Sequence, residues 1–184
     1  MLLAVDPGLN GAFVLLDKQQ VIALDHLPTH RTQHGRAAKV RNELDLHALR
    51  DMLKMQTCIS AAFLERVSAM PKQGVSSTFR FGESSGQLYG LLVGLGVPVT
   101  YVRPQQWQRF HGIGGAPDAA RQRAVQLFPS LSAALSRKMD CQRADALLLG
   151  VFGLSYMEGH RDDTNTANPE RARGYAVGGT ESPA

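Results

Sequence analysis

Three short apolar runs open the chain, Leu2 to Val5, Ala12 to Leu16 and Val21 to Leu24, divided by the turns DPGLNG and DKQQ. Runs of this length broken by turn-forming residues predict a three-stranded antiparallel meander. From Pro28 to Glu43 the chain shifts to His, Arg, Thr, Gln and Lys without an apolar period, which predicts an exposed basic loop or flexible arm and no packed element. Leu46, Leu49 and Leu53 then recur at helical spacing, and Ala61 to Leu64 reads as a buried strand. Leu88, Leu91, Leu92 and Leu95 mark a second helical face, and Val99 to Val102, entered through Pro98, is again strand-like. Ala144 to Tyr156 is apolar on nearly every face and predicts a buried helix. After it, residues 158–184 are polar and rich in Gly, Pro, Thr and Asn, the composition of a disordered tail. The pattern therefore gives one α/β domain over 1–157 and a polar tail over 158–184. Its sheet is mixed, an antiparallel meander followed by alternating helices and strands, flanked by helices.

Within the second helical stretch, Gly82, Gly86, Gly90 and Gly94 recur every fourth residue and line one stripe. Each costs roughly 0.5 to 1 kcal/mol against alanine inside a helix. The stripe predicts close approach of another backbone, chiefly the sheet or a partner subunit.

Composition narrows the class more than the function. With 184 residues and 43% hydrophobic side chains, the chain suits a single domain with a real core. Its formal net charge of +4 and pI near 9.3 lean towards a polyanionic partner, a property shared by many proteins that bind no nucleic acid. Cys58 and Cys141 are too few for a disulfide framework and lie in no CxxC pair, which suits a reducing compartment and excludes a zinc finger. The opening MLLAVD has no basic region before its apolar run, so it reads as neither a signal peptide nor a membrane span. The expectation is a cytoplasmic protein.

Four acids carry the candidate chemistry. Asp6 ends the first apolar run at a Pro-Gly turn, and Glu65 ends AAFL in the same way. Either alone is also an ordinary turn or strand-end acid. Asp145 falls inside the start of a helix made otherwise of Ala, Leu, Val and Phe, where a carboxylate needs a partner. Asp140 is equally readable as a helix N-cap. As a set, Asp6, Glu65, Asp140 and Asp145 offer oxygen-only ligands suited to Mg²⁺ or Mn²⁺. Two such ions about 3.5 to 4 Å apart hold the attacking and leaving oxygens of a displacement at phosphorus. His30 and His34, in the polar stretch without further ligands, read as solvated loop residues.

The segment PKQGVSSTFRFG adds Lys72, Gln73, Ser76, Ser77, Thr78, Phe79 and Arg80, cations and hydroxyls that satisfy phosphate oxygens beside rings that stack on unpaired bases. Phe79 and Phe81 are equally able to anchor the loop in the core. Arg137 and Lys138, just before Asp140, neutralise phosphate or are solvated charges, and Trp107, the sole tryptophan, reads as a packing residue.

Four ordered stretches between residues 4 and 150, AVDPGLNGA, LERVSAMPKQGVSSTFRFG, VRPQQWQ, and LFPSL with RKMDCQRADALLLG, give the chain its likeness to a known family. It resembles the RuvC family of Holliday junction resolvases, most closely the phage and prophage branch. The resemblance implies a ribonuclease H-like fold with a five-stranded sheet, a homodimer, and two Mg²⁺ ions per site with Mn²⁺ also supporting activity. It further implies paired cuts in four-way junctions and other branched DNA, leaving 5′-phosphate ends, in DNA recombination and repair. It maps the first-strand aspartate onto Asp6, the fourth-strand glutamate onto Glu65 and the last-helix aspartate onto Asp145. Bacterial housekeeping members carry the remaining ligand three residues before that aspartate, where this chain has Gln142. Phage-like and organellar relatives carry it five before, at Asp140. In GIGGAPDAARQ, where many relatives have a lysine, this chain has none, and Arg121 or Arg123 takes over the DNA backbone contact in this reading. The rival readings are a ribonuclease H-like or transposase-like nuclease with another substrate, and a DNA-binding structural protein without activity.

Overall fold

Leu2 to Val5 are buried on both sides of the first strand, β1 (Leu2–Asp6), as befits the centre of a sheet covered on two faces. The computed structural model describes residues 1–33, 40–56, 58–68, 74–114, 116 and 118–166. Strands β2 (Ala12–Asp17) and β3 (Gln20–His26) complete the expected antiparallel meander. On the other side of β1, β6 (Ala61–Glu65) and β7 (Val99–Val102) add in parallel, giving the order β3-β2-β1-β6-β7.

Strand alternation divides the core into two layers. Leu2, Ala4, Val14, Leu16 and Phe63 face α5 (Cys141–Thr166), with Trp107 of α3 (Pro104–Phe110) and Ala124 of α4 (Ala119–Leu127) in the same layer. Leu3, Val5, Phe13, Leu15, Ala62 and Leu64 face α1 (Leu46–Lys54) and α2 (Val75–Gly94) through Leu49, Leu53, Leu88 and Leu92. The mixed five-stranded sheet between helices is the one the pattern predicts. No helix among the described residues is long and apolar enough to cross a membrane.

Three expectations change. The stretch 28–43, read as a loop without packed structure, contains a hairpin: β4 (Thr29–Thr32) pairs with β5 (Arg41–Leu44), Thr29 opposite Leu44 and Thr32 opposite Arg41. Its base is held by buried Leu27 and Leu44 and by the Asp45 N–H, which donates to the Pro28 carbonyl at 2.8 Å. The glycine stripe of α2 does not pack on the sheet, for a Cβ added at Gly82, Gly86, Gly90 or Gly94 meets nothing within 4 Å. The close approach occurs on α5 instead. A Cβ at Gly150 would lie 2.8 Å from Leu16 and Val14 side-chain atoms, and one at Gly153 would lie 2.7 Å from Phe63. Finally, the last helix, predicted from Ala144 to Tyr156, is longer at both ends, α5 running from Cys141 to Thr166.

Candidate active site

The C-terminal ends of two adjacent central strands explain why three acids act on one another. Asp6 and Glu65 follow Ala4 and Phe63 by two residues, so both project towards α5. They lie one step beyond Val5–Leu64, the last paired residues of two adjacent parallel strands. Asp145 precedes Leu148 and Leu149 by three and four residues on α5, so it shares their sheet-facing side one turn nearer the strand ends.

The electrostatics record the convergence. Burial pushes the Asp6 carboxyl well above its ordinary value, with the charges of Glu65 and then Asp145 adding to the effect. Asp145 is raised to about 7, by burial first and by Glu65 second. Burial also raises Glu65, opposed by a hydrogen bond in which the Trp107 indole N–H donates to Oε2 at 2.7 Å. Among the described residues no cation pairs with any of the three. This is a cluster of mutually repelling carboxylates without counter-charge. No group of three or more His, Cys, Asp or Glu among the described residues forms a ready-made metal cage. The donor set nevertheless fits a hard divalent cation: it is all oxygen, and its charge is uncompensated.

Asp140 stands apart from this cluster. Only 1% exposed, it accepts the Arg137 backbone N–H at 2.8 Å and pairs with the guanidinium groups of Arg137 at 3.0 Å and Arg143 at 3.5 Å. The Arg137 hydrogen bond is the largest cause holding its carboxyl below the usual range. Arg143 also reaches Asp25 on β3 at 2.6 Å. Asp140 thus ties the start of α5 to the chain before it and to β3.

A cleft of ≈ 460 Å³ opens beside Asp6, walled by the turn from Pro7 to Gly11, by Ser77, Arg80, Phe81 and Ser84 of α2, and by Gln142. Gly11 closes that turn, since a Cβ there would lie 2.2 Å from the Asp6 carbonyl oxygen. The two phenylalanines separate: Phe81 packs over Gly8, 3.4 Å from where a Cβ would stand, whereas Phe79 is 71% exposed. Ser76 is exposed on the first turn of α2, and the Thr78 hydroxyl donates to the Gly74 carbonyl at 3.2 Å. Lys72, Gln73 and His34 lie outside the described residues.

The remaining predicted cations are spread. Arg121 is engaged within the chain, by both Asp118 carboxylate oxygens and by the Leu135 carbonyl at 3.1 Å. Arg123 reaches Gln126 at 3.4 Å. Arg137 is bound to Asp140, and Lys138 is exposed in the short turn before α5.

Three site residues escaped the sequence reading. Ser84 falls in line with Ser77 and Arg80 at helical spacing, a signal present in the sequence. Gln142 lines the cleft at the bacterial ligand position. The Trp107 bond to Glu65 joins residues 42 apart in sequence, and no local pattern reveals it.

Comparison with solved structures gives the fold a precedent. RuvC of Thermus thermophilus aligns over 89% of this chain and 96% of its own, with 16% identity and a TM-score of 0.52. The same protein in complex with Holliday junction substrate aligns over the same shares, with 17% identity and a TM-score of 0.48. No protein-family model and no curated protein sequence matches the chain. The fold is therefore RuvC-like, of the ribonuclease H-like α/β class.

Proposed function

We propose that this chain is a metal-dependent, structure-selective DNA endonuclease of the resolvase type. The observation that carries the reading is the electrostatic coupling of Asp6, Glu65 and Asp145, with no paired cation among the described residues, at the strand ends of a RuvC-like sheet. These three would hold two Mg²⁺ or Mn²⁺ ions, which supply an activated water and charge stabilisation at the departing 3′ oxygen. The protein's own part is to bring the carboxylates together, to orient Glu65 through Trp107, and to receive the strand along Ser77 and Arg80. Phe79, exposed on α2, suits stacking on an unpaired base.

Gln142 is a neutral side chain at the cleft, and Asp140 serves the fold rather than the metals. Paired cuts require two sites, so a homodimer belongs to the same reading, and the glycine face of α2 offers room for a partner backbone. The phage-type assignment rests on the sequence resemblance.

The test compares labelled four-way junction, linear duplex and RNA–DNA hybrid with Mg²⁺, with Mn²⁺ and in chelator. Cleavage of the junction alone, abolished by chelator, is expected. Preference for the hybrid, or cleavage that survives chelation, would overturn the reading. Light scattering of the free protein tests the dimer.

A further inference from the structure

The cleft beside Asp6 continues past α2. Leu9, Arg80 and Ser84 line both it and a second groove, whose opposite wall is β5, with Arg41 and Asn42 on its surface. The two form one trough that runs from Asp6 to β5 and along that strand from Leu44 to Arg41. Arg80 stands where they join, and Arg41 and Asn42 at the far end, all three exposed. Two acids also line the far part, Glu43 and Glu83.

The hairpin is braced against the turn that carries Asp6. The Leu27 N–H donates to the Gly11 carbonyl at 2.9 Å, and the Gly11 N–H to the Gly8 carbonyl at 3.0 Å. Leu27 and Leu44 are buried in one core cluster with Leu49 and Leu53. The base of the hairpin, where Leu44 lines the trough, is thereby fixed relative to Asp6, and β5 carries Arg41 and Asn42 away from it.

We propose that this trough seats the sugar-phosphate backbone of the duplex arm flanking the cut, with Arg80 on phosphate near the carboxylates and Arg41 and Asn42 on phosphate farther along. The proposal rests on the reading of the chain as a DNA endonuclease. Guanidinium and amide donors match phosphate oxygens and carry no base information. Their contribution is to set where the duplex lies relative to Asp6.

The experiment is equilibrium binding of a fluorescent four-way junction in chelator across a salt series. Each phosphate contact contributes about −0.9 to the slope of log affinity against log salt. Arg41→Ala is expected to weaken binding about 3- to 10-fold and to flatten the slope by about one contact. Arg41→Glu should lose more, as should Asn42→Asp, which places a negative charge in the groove at constant size. Arg50→Ala on α1, whose native side chain pairs with Asp51, controls for net charge and should match wild type. Melting curves confirm that each variant is folded. Wild-type slope and affinity in Arg41→Glu and Asn42→Asp overturn the proposal while leaving the endonuclease reading intact. Failure of the wild-type protein to bind the junction overturns both.

Discussion

Glu65 owes its orientation to Trp107. A buried indole N–H needs an acceptor, and here the acceptor is one oxygen of a carboxylate in the proposed site. Trp107→Phe keeps the apolar bulk and removes the donor. Loss of a residue that orients a ligand typically costs about 10- to 100-fold in metal affinity or activity, so calorimetric titration of the folded variant with Mn²⁺ should show weakening in that range. Wild-type affinity would make Trp107 a packing residue only. As the sole tryptophan, it also offers a fluorescence signal for ions arriving beside Glu65. Asp140→Asn should behave differently. It removes a charge held by Arg137 and Arg143, so the melting temperature should fall by several degrees while metal affinity stays near wild type. A large loss of metal affinity with unchanged melting would return Asp140 to the ligand set. The sequence singled out all four acids, since each sits at the end of an apolar run or the start of a helix. It already marked Asp140 as the least secure of the four, readable as a helix N-cap and mapped only by the phage-type spacing, but it did not show that Arg137 and Arg143, three residues to either side, hold that carboxylate.

At the scale of elements, apolar period was a good guide where one face of a strand or helix meets a core. The meander, β6, β7 and the sheet-facing leucines of α2 lie where that period predicts. The β4–β5 hairpin did not declare itself, since THRT and RNEL carry a single buried apolar residue between them, Leu44. Among the described residues its strands pair only with each other, so their stability derives from cross-strand bonds and an anchored base rather than a hydrophobic face. Glycine periodicity misled for a related reason: a stripe of small residues permits close packing without stating on which element it is used. On α5 the use is visible. Alanine at Gly150 or Gly153 would push a Cβ into Leu16 and Val14 or into Phe63, and overpacking of this kind costs about 1 to 3 kcal/mol. Alanine at Gly86 or Gly90 meets open space in the single chain and should stabilise an isolated chain by about 0.5 to 1 kcal/mol through helix propensity. Chemical denaturation of the four variants measures the contrast. A gain in stability at Gly150 and Gly153 would show that α5 does not lie as close to the sheet as described.

For the whole molecule, the three acids link folding to protonation, and in the proposed function they would link both to metal binding. Burial and the Glu65 charge raise Asp145 from its ordinary 3.8 to about 7, and Asp6 shifts in the same direction. Over that interval the native protein keeps a proton that the unfolded chain has released. The stability Asp145 contributes is therefore fully present below about pH 4 and is lost as pH rises towards about 7. A divalent cation that binds only the native cluster must displace those protons, so its affinity grows over the same interval, and at one hundred times its Kd it adds about 2.7 kcal/mol. In chelator, the wild-type melting temperature should fall more steeply between about pH 5 and pH 8 than that of Asp145→Asn, with the variant the more stable at the upper end. Mg²⁺ should raise the wild-type melting temperature more at high pH than at low pH, and should raise that of the variant much less at either. Equal gains from Mg²⁺ in both proteins would place the bound ion away from Asp145. A variant no more stable than wild type at high pH in chelator would mean that the carboxylates do not repel one another as their shared place at the strand ends requires.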